Sequence, residues 1–149
     1  MLSSLDVVLK ISALIGGALA VATYWRNAKV KRAEWLSSLY AKFFESSSFK
    51  SIRRILDTHE NAPELQPLRT SLEADETSQI DEDFVDYLNF FEFVASLRKL
   101  DQLKTQEISM MFHYYLRLLC KHAFVRTYIR KHDFENLDQL LTECVPEAK

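Results

Sequence analysis

Apolar residues are densest between Val7 and Trp25, where VVLKISALIGGALAVATYW carries one formal charge, Lys10, in 19 residues. As a helix rising about 1.5 Å per residue, this run reaches about 28 Å, close to the roughly 30 Å hydrocarbon layer of a bilayer. Lys10 lies in the first turns, where its stem can snorkel to the headgroups. Tyr24 and Trp25 close the other end, and Arg26, Lys29, Lys31 and Arg32 follow, as an interfacial aromatic belt and a basic flank do. The pattern predicts a transmembrane anchor over residues 1–25, with the N-terminus outside and the rest of the chain cytoplasmic. A cleaved signal peptide competes, because Ala18-Leu19-Ala20 and Ala20-Val21-Ala22 both have the small-x-small form of a cleavage site. A buried soluble helix is the third reading.

Past Trp25 the spacing is helical throughout. Trp35, Leu36, Leu39, Tyr40, Phe43 and Phe44 form one stripe, so a basic amphipathic stem over 26–46 continues the first helix from about residue 4 to 45. Ser46-Ser47-Ser48 interrupts it and can cap a short helix carrying Phe49, Ile52, Ile55 and Leu56, with Lys50, Arg53 and Arg54 away from that stripe. Segment 57–83 reads as an acidic linker with a helical turn near Leu65 to Leu72. From Ile80 to Leu100 runs a central helix. A further helix starts at Thr105, capped by that threonine, and buries Ile108, Phe112, Tyr115, Leu119 and Ala123; it continues through Phe124, Val125, Tyr128 and Ile129 with a bend. The last helix turns Leu137, Leu140, Leu141 and Cys144 inward and stops at Pro146. No run alternates as a strand. The predicted class is all-α: one transmembrane helix continuing into a stem, then a small helical bundle over 47–149.

The central helix is apolar on two sides. Phe84, Tyr87, Leu88, Phe91, Val94 and Ala95 share one face, and Phe90, Phe93, Leu97 and Leu100 form a second, nearly opposite stripe. Such a helix is buried between neighbours or covers a partner with its spare face, so these four residues are a candidate interface. Between the stripes, Asn89, Glu92, Ser96 and Lys99 make a narrow polar strip. Glu92, set among Phe90, Phe91 and Phe93, is then a strip residue, a desolvated acid, or the buried partner of Arg117 or Arg126.

Composition narrows the chemistry. Of 149 residues only Gly16 and Gly17 are glycine. No glycine-rich phosphate cradle, dinucleotide fingerprint or nucleophile elbow can exist beyond them. Inside the presumed span, Ala13, Gly16, Gly17 and Ala20 instead offer small-residue positions for helix association in lipid. Residues 26–54 carry eight basic and two acidic side chains, whereas 57–86 carry ten acidic ones against Arg69 alone. Arg26, Lys29, Lys31 and Arg32 are thereby candidates for lipid headgroups. Nucleic acid is not an expected partner, since the acidic segment opposes a polyanion and no recognition motif occurs. His59, His113, His122 and His132 lack the spacing of a helical zinc site, and Cys120 and Cys144 form no C-x-x-C, so no metal or cofactor is expected. His113, Arg117 and Lys121 stack at four-residue spacing beside Tyr114, which makes them candidate contacts for an anion or small ligand, or a basic strip facing solvent. No paired catalytic groups stand out, and an enzyme is not expected.

Three features together carry a resemblance: the single N-terminal apolar segment, the stem motif Trp35-Leu36-Ser37-Ser38-Leu39-Tyr40 followed by Phe43-Phe44, and the run Asp86-Tyr87-Leu88-Asn89-Phe90-Phe91-Glu92-Phe93-Val94-Ala95. The chain resembles a family of uncharacterised bacterial single-span membrane proteins with a small all-helical cytosolic domain, a domain of unknown function. The resemblance implies the bacterial inner membrane and no catalytic residues. The expected function is a membrane-anchored, non-enzymatic interaction module that self-associates or binds a protein partner. The alternative is a signal-gated membrane effector of the antiphage-defence type, its helical domain sensing a ligand or partner.

Overall fold

The computed structural model describes residues 4–74 and 78–145, except for the side chains of residues 4–6 and Val8. Among the described residues there are seven α-helices and one 3-10 turn and no strand. The helices are α1 (Ser4–Glu45), α2 (Ser47–Asp57), α3 (Gln66–Ala74), α4 (Gln79–Lys99), α5 (Thr105–Lys121), α6 (Ala123–Lys131) and α7 (Glu135–Cys144), with the 3-10 turn at Pro63–Leu65. The chain divides into two compact units, Met1–Lys42 and Phe43–Lys149.

The first unit is α1 up to Lys42. Among the described residues no helix is long and apolar enough to cross a membrane. This overturns the predicted transmembrane anchor at residues 1–25 and the single-pass placement at an inner membrane. Length is not the obstacle, since α1 has 42 residues. Its charge-free stretch is: Lys10 and Arg26 bound about 15 residues, roughly 22 Å of helix, against a hydrocarbon layer of roughly 30 Å. Val8, which lengthens the apolar run in sequence, has its side chain outside the described residues. The headgroup role predicted for Arg26, Lys29, Lys31 and Arg32, and the lipid setting of Ala13, Gly16, Gly17 and Ala20, presupposed that span.

The second unit is built around aromatic rings. Phe43 is fully buried, with ring centroids 4.9–5.7 Å from those of Tyr115, Phe112, Phe90, Phe91 and Tyr87. Most of these pairs are edge-to-face or tilted, the geometry that the ring quadrupole favours. Helix α4 runs through the middle and packs against α7, α2 and α3, while α5 packs against α7, α6 and α2. The acidic segment folds further than a linker with one turn: Leu65, Leu68 and Leu72 are all buried, which holds the 3-10 turn and α3 onto the bundle.

Local signals set the helix ends. Ser46 caps α2 by accepting from the Phe49 N–H at 3.3 Å, and Ser78 caps α4 by accepting from the Asp81 N–H at 3.3 Å. At α5 the cap position is Lys104, one residue before the predicted threonine; its N–H donates to the Glu107 carboxylate at 2.8 Å. The expected bend falls at His122, whose φ of −105° and ψ of 117° separate α5 from α6. With no glycine available, aspartate makes the left-handed closures: Asp101 (φ 55°) after α4 and Asp133 (φ 59°) after α6. In both, the next amide reaches back to a carbonyl of the last turn, Gln102 to Leu97 at 2.8 Å and Phe134 to Ile129 at 3.1 Å. Pro146, expected to stop α7, lies outside the described residues.

Candidate functional site

Helix α4 is amphipathic in an unusual way, because its outward face changes character along its length. Glu82, Asp86 and Asn89 are exposed at the N-terminal end, where acids also suit the helix dipole. Further along the same face stand Phe93, 52% exposed, half-buried Leu97, and Leu100, 67% exposed. Spacings of four and three residues keep these apolar side chains on one strip. Phe90, predicted to share it, does not: it is buried, with its ring 5.6 Å from Phe49 and 5.7 Å from Phe112. At 240° around the wheel from Phe84 it sits at the edge of the stripe, and the end of α1 and α2 cover it. The candidate interface therefore reduces to Phe93, Leu97 and Leu100.

The polar strip between the two apolar faces closes another helix. Glu92 accepts from the Leu137 N–H at 2.8 Å, the Asn136 N–H at 3.3 Å and Asn136 Nδ2 at 2.5 Å. Those amides belong to the first turn of α7, whose own cap position, Phe134, supplies no side-chain acceptor. Ser96 Oγ and Lys99 Nζ also meet the Asn136 side chain, at 3.4 and 3.1 Å. Neither arginine proposed for Glu92 reaches it. Arg126 pairs with Asp138 at 2.9 Å instead, and the described contacts of Glu92 do not include Arg117.

The α5 strip is only partly available for a ligand. Tyr114 donates its hydroxyl to the Asp57 carboxylate. That hydrogen bond, more than burial, raises the tyrosine above its usual pKa. Lys121 Nζ donates to the carbonyls of Asp57 at 3.1 Å and Thr58 at 2.7 Å, so it closes the C-terminal end of α2. Arg117 and His113 are exposed. His113 lines a shallow cleft of about 410 Å³ with Thr105, Ser109, Met110, Glu143 and Cys144. The Cys144 thiol there is pushed up by burial and by the neighbouring Glu143, which opposes thiolate chemistry. Arg126 Nη1 donates to the Cys120 sulfur at 3.3 Å. Among the described residues no group of three or more His, Cys, Asp or Glu side chains could hold a metal ion.

Two side chains that the periodicity left unassigned turn out to be central. Arg53, placed off the α2 stripe, lays its guanidinium over Phe43 at 4.8 Å and Phe44 at 5.2 Å. It also donates to both their carbonyls, at 2.5 and 3.3 Å, and so closes α1. His122 is fully buried at the α5–α6 break, with Nε2 2.8 Å from the Leu56 carbonyl. Since a carbonyl only accepts, Nε2 carries the proton, and Nδ1 has no partner among the described residues. The flanking aromatics of Arg53 were the one signal available in the sequence; for His122 there was none.

On α1, Ala13 and Gly17 line an open groove together with Leu14, Ala18, Val21, Ala22 and Trp25, whereas Gly16 and Ala20 do not. Arg26, Lys29, Lys31 and Arg32 are all exposed.

Residues 10–134 match the domain of unknown function DUF4760, and the chain belongs to that family. No curated protein and no solved structure matches it.

Proposed function

We propose that this DUF4760 protein is a helical interaction module, not an enzyme, that engages a protein partner through the outward face of α4. One observation carries the reading. Phe84, Tyr87, Phe90 and Phe91 are at most 6% exposed, yet Phe93 on the same helix stands out in solvent with Leu100. Leaving Phe93 on the central helix and Leu100 at its C-cap in solvent forgoes on the order of 1–2 kcal/mol of burial for each, and an aromatic anchor on such a face is what interface hot spots use. The acidic residues Glu82 and Asp86 at the other end of the face favour a partner segment that is basic as well as apolar.

A benzophenone amino acid placed at position 93 tests this in the producing cell. Irradiation should give one discrete protein adduct from position 93 and none from position 117. A chain with Leu97→Asp and Leu100→Asp should melt within a few degrees of wild type and lose the adduct. No adduct at 93, or one that survives those substitutions, sinks the proposal.

A further inference from the structure

Helices α3 and α6 line a cleft of about 340 Å³ to which α4 contributes no residue. Its size falls at the lower end of the range for small-molecule sites, about 300–1,000 Å³. Leu72 of α3 and Phe124 and Tyr128 of α6 give it an apolar lining, and Glu73, Thr127 and Lys131 add three polar groups. Both rings are held by residues that do not line the cleft. The Arg69 guanidinium lies over Phe124, 5.1 Å from its centroid, while His132 stacks on Tyr128 at 4.0 Å and Phe84 meets it edge to face at 5.8 Å. Two half-buried aromatic side chains, four residues apart on one helix face, are thereby fixed in place.

The charges are the second observation. Glu73 and Lys131 are exposed, and among the described residues neither forms an ion pair. Arg69, one turn before Glu73 on α3, is the local partner that helix spacing offers this carboxylate. It turns to Phe124 instead. An unpaired acid and an unpaired base therefore line the same apolar cleft.

We infer that the cleft binds a free α-amino acid with an aromatic side chain. The ligand ammonium donates to the Glu73 carboxylate, the ligand carboxylate accepts from Lys131 Nζ, and the ring packs against Leu72, Phe124 and Tyr128. A simple anion would meet Glu73 as a like charge and a simple cation would meet Lys131, whereas a zwitterion answers both. Thr127 gives its hydroxyl proton to the Ala123 carbonyl at 3.1 Å, so its oxygen is left as an acceptor and also suits the ammonium. Aromatic rings gain from edge and offset contacts with other rings, which favours an aromatic side chain over an aliphatic one.

Titration of the full chain with L-tryptophan, followed by amide NMR, tests this. Saturable shifts should centre on Leu72, Glu73, Phe124, Thr127, Tyr128 and Lys131. L-Alanine, with both charges and no ring, should bind at least about tenfold more weakly. Glu73→Gln should weaken L-tryptophan about two- to fivefold, the usual worth of an exposed charge pair, and leave N-acetyl-L-tryptophan, which has no ammonium, unchanged. Lys131→Gln should do the same, with L-tryptophanamide as the indifferent ligand. Both substitutions change exposed side chains and spare the fold, which the rest of the spectrum checks. No saturable shift at the cleft, alanine binding as tightly as tryptophan, or a Glu73→Gln chain that loses as much affinity for N-acetyl-L-tryptophan as for L-tryptophan overturns the inference.

Discussion

Tyr87 shows how closely single atoms are held in this bundle. Its ring stands among Phe43, Phe49 and Phe91, with centroids 5.2–5.7 Å away, and its hydroxyl is buried with no hydrogen-bond partner among the described residues. Burial raises its pKa far above the usual tyrosine range, an effect that Arg53 only partly offsets. Tyr87→Phe should therefore stabilise the protein by about 0.5–1 kcal/mol at neutral pH, since it removes an unpaired buried polar group and keeps the ring. The alkaline limb has a definite sign. The folded pKa is raised, so above about pH 10 the unfolded chain releases a proton that the native state retains, and stability falls as pH rises. Chemical denaturation at pH 7 and at pH 10.5 to 11 should show wild type losing stability and Tyr87→Phe losing less. That Tyr87 lies in the core was legible from its place on the α4 stripe. That its hydroxyl goes unpaired was not, because hydrogen bonding depends on which groups the other helices bring near it.

Three helix ends are closed by a side chain from another helix. Ser46 and Ser78 cap their own helices, and the serine before α2 could be read directly from the chain. The end of α1 is closed by Arg53 from α2, the end of α2 by Lys121 and His122 from the α5–α6 corner, and the start of α7 by Glu92 from α4. These partners are 9 to 66 residues away along the chain, beyond the three or four residues over which a local cap acts. Glu92→Ala should cost about 1–2 kcal/mol in thermal or denaturant unfolding, the usual size of a lost cap, with Glu92→Gln intermediate because it keeps an acceptor without the charge. Hydrogen exchange should localise the loss to the amides of Asn136 and Leu137. An unchanged exchange rate there would show that Glu92 does not hold the start of α7.

At the level of the whole molecule, the two units make different use of apolar residues: unit Phe43–Lys149 buries them around Phe43, and the described apolar residues of unit Met1–Lys42, Leu39 aside, are mostly exposed. A chain of residues 26–149 should accordingly melt within about 3 °C of the full chain, because the second core is closed without residues 1–25. Phe43→Ala in either chain should cost about 3–5 kcal/mol, the usual penalty for emptying a phenylalanine site. A large loss on truncation alone would mean that residues 1–25 support the bundle. By itself the sequence determined the all-helical class, the long first helix, the serine break before α2, that a bend interrupts the run from Thr105 to Ile129, and most buried positions of α4, α5 and α7. Each of these follows from side-chain spacing and local capping, which act within a turn or two. Only the tertiary structure decided that Phe90 is core while Phe93 and Leu100 are surface, that Glu92 closes α7, and that half the α5 strip is committed to α2. Those outcomes depend on which groups distant segments bring together, and a helical period does not record that.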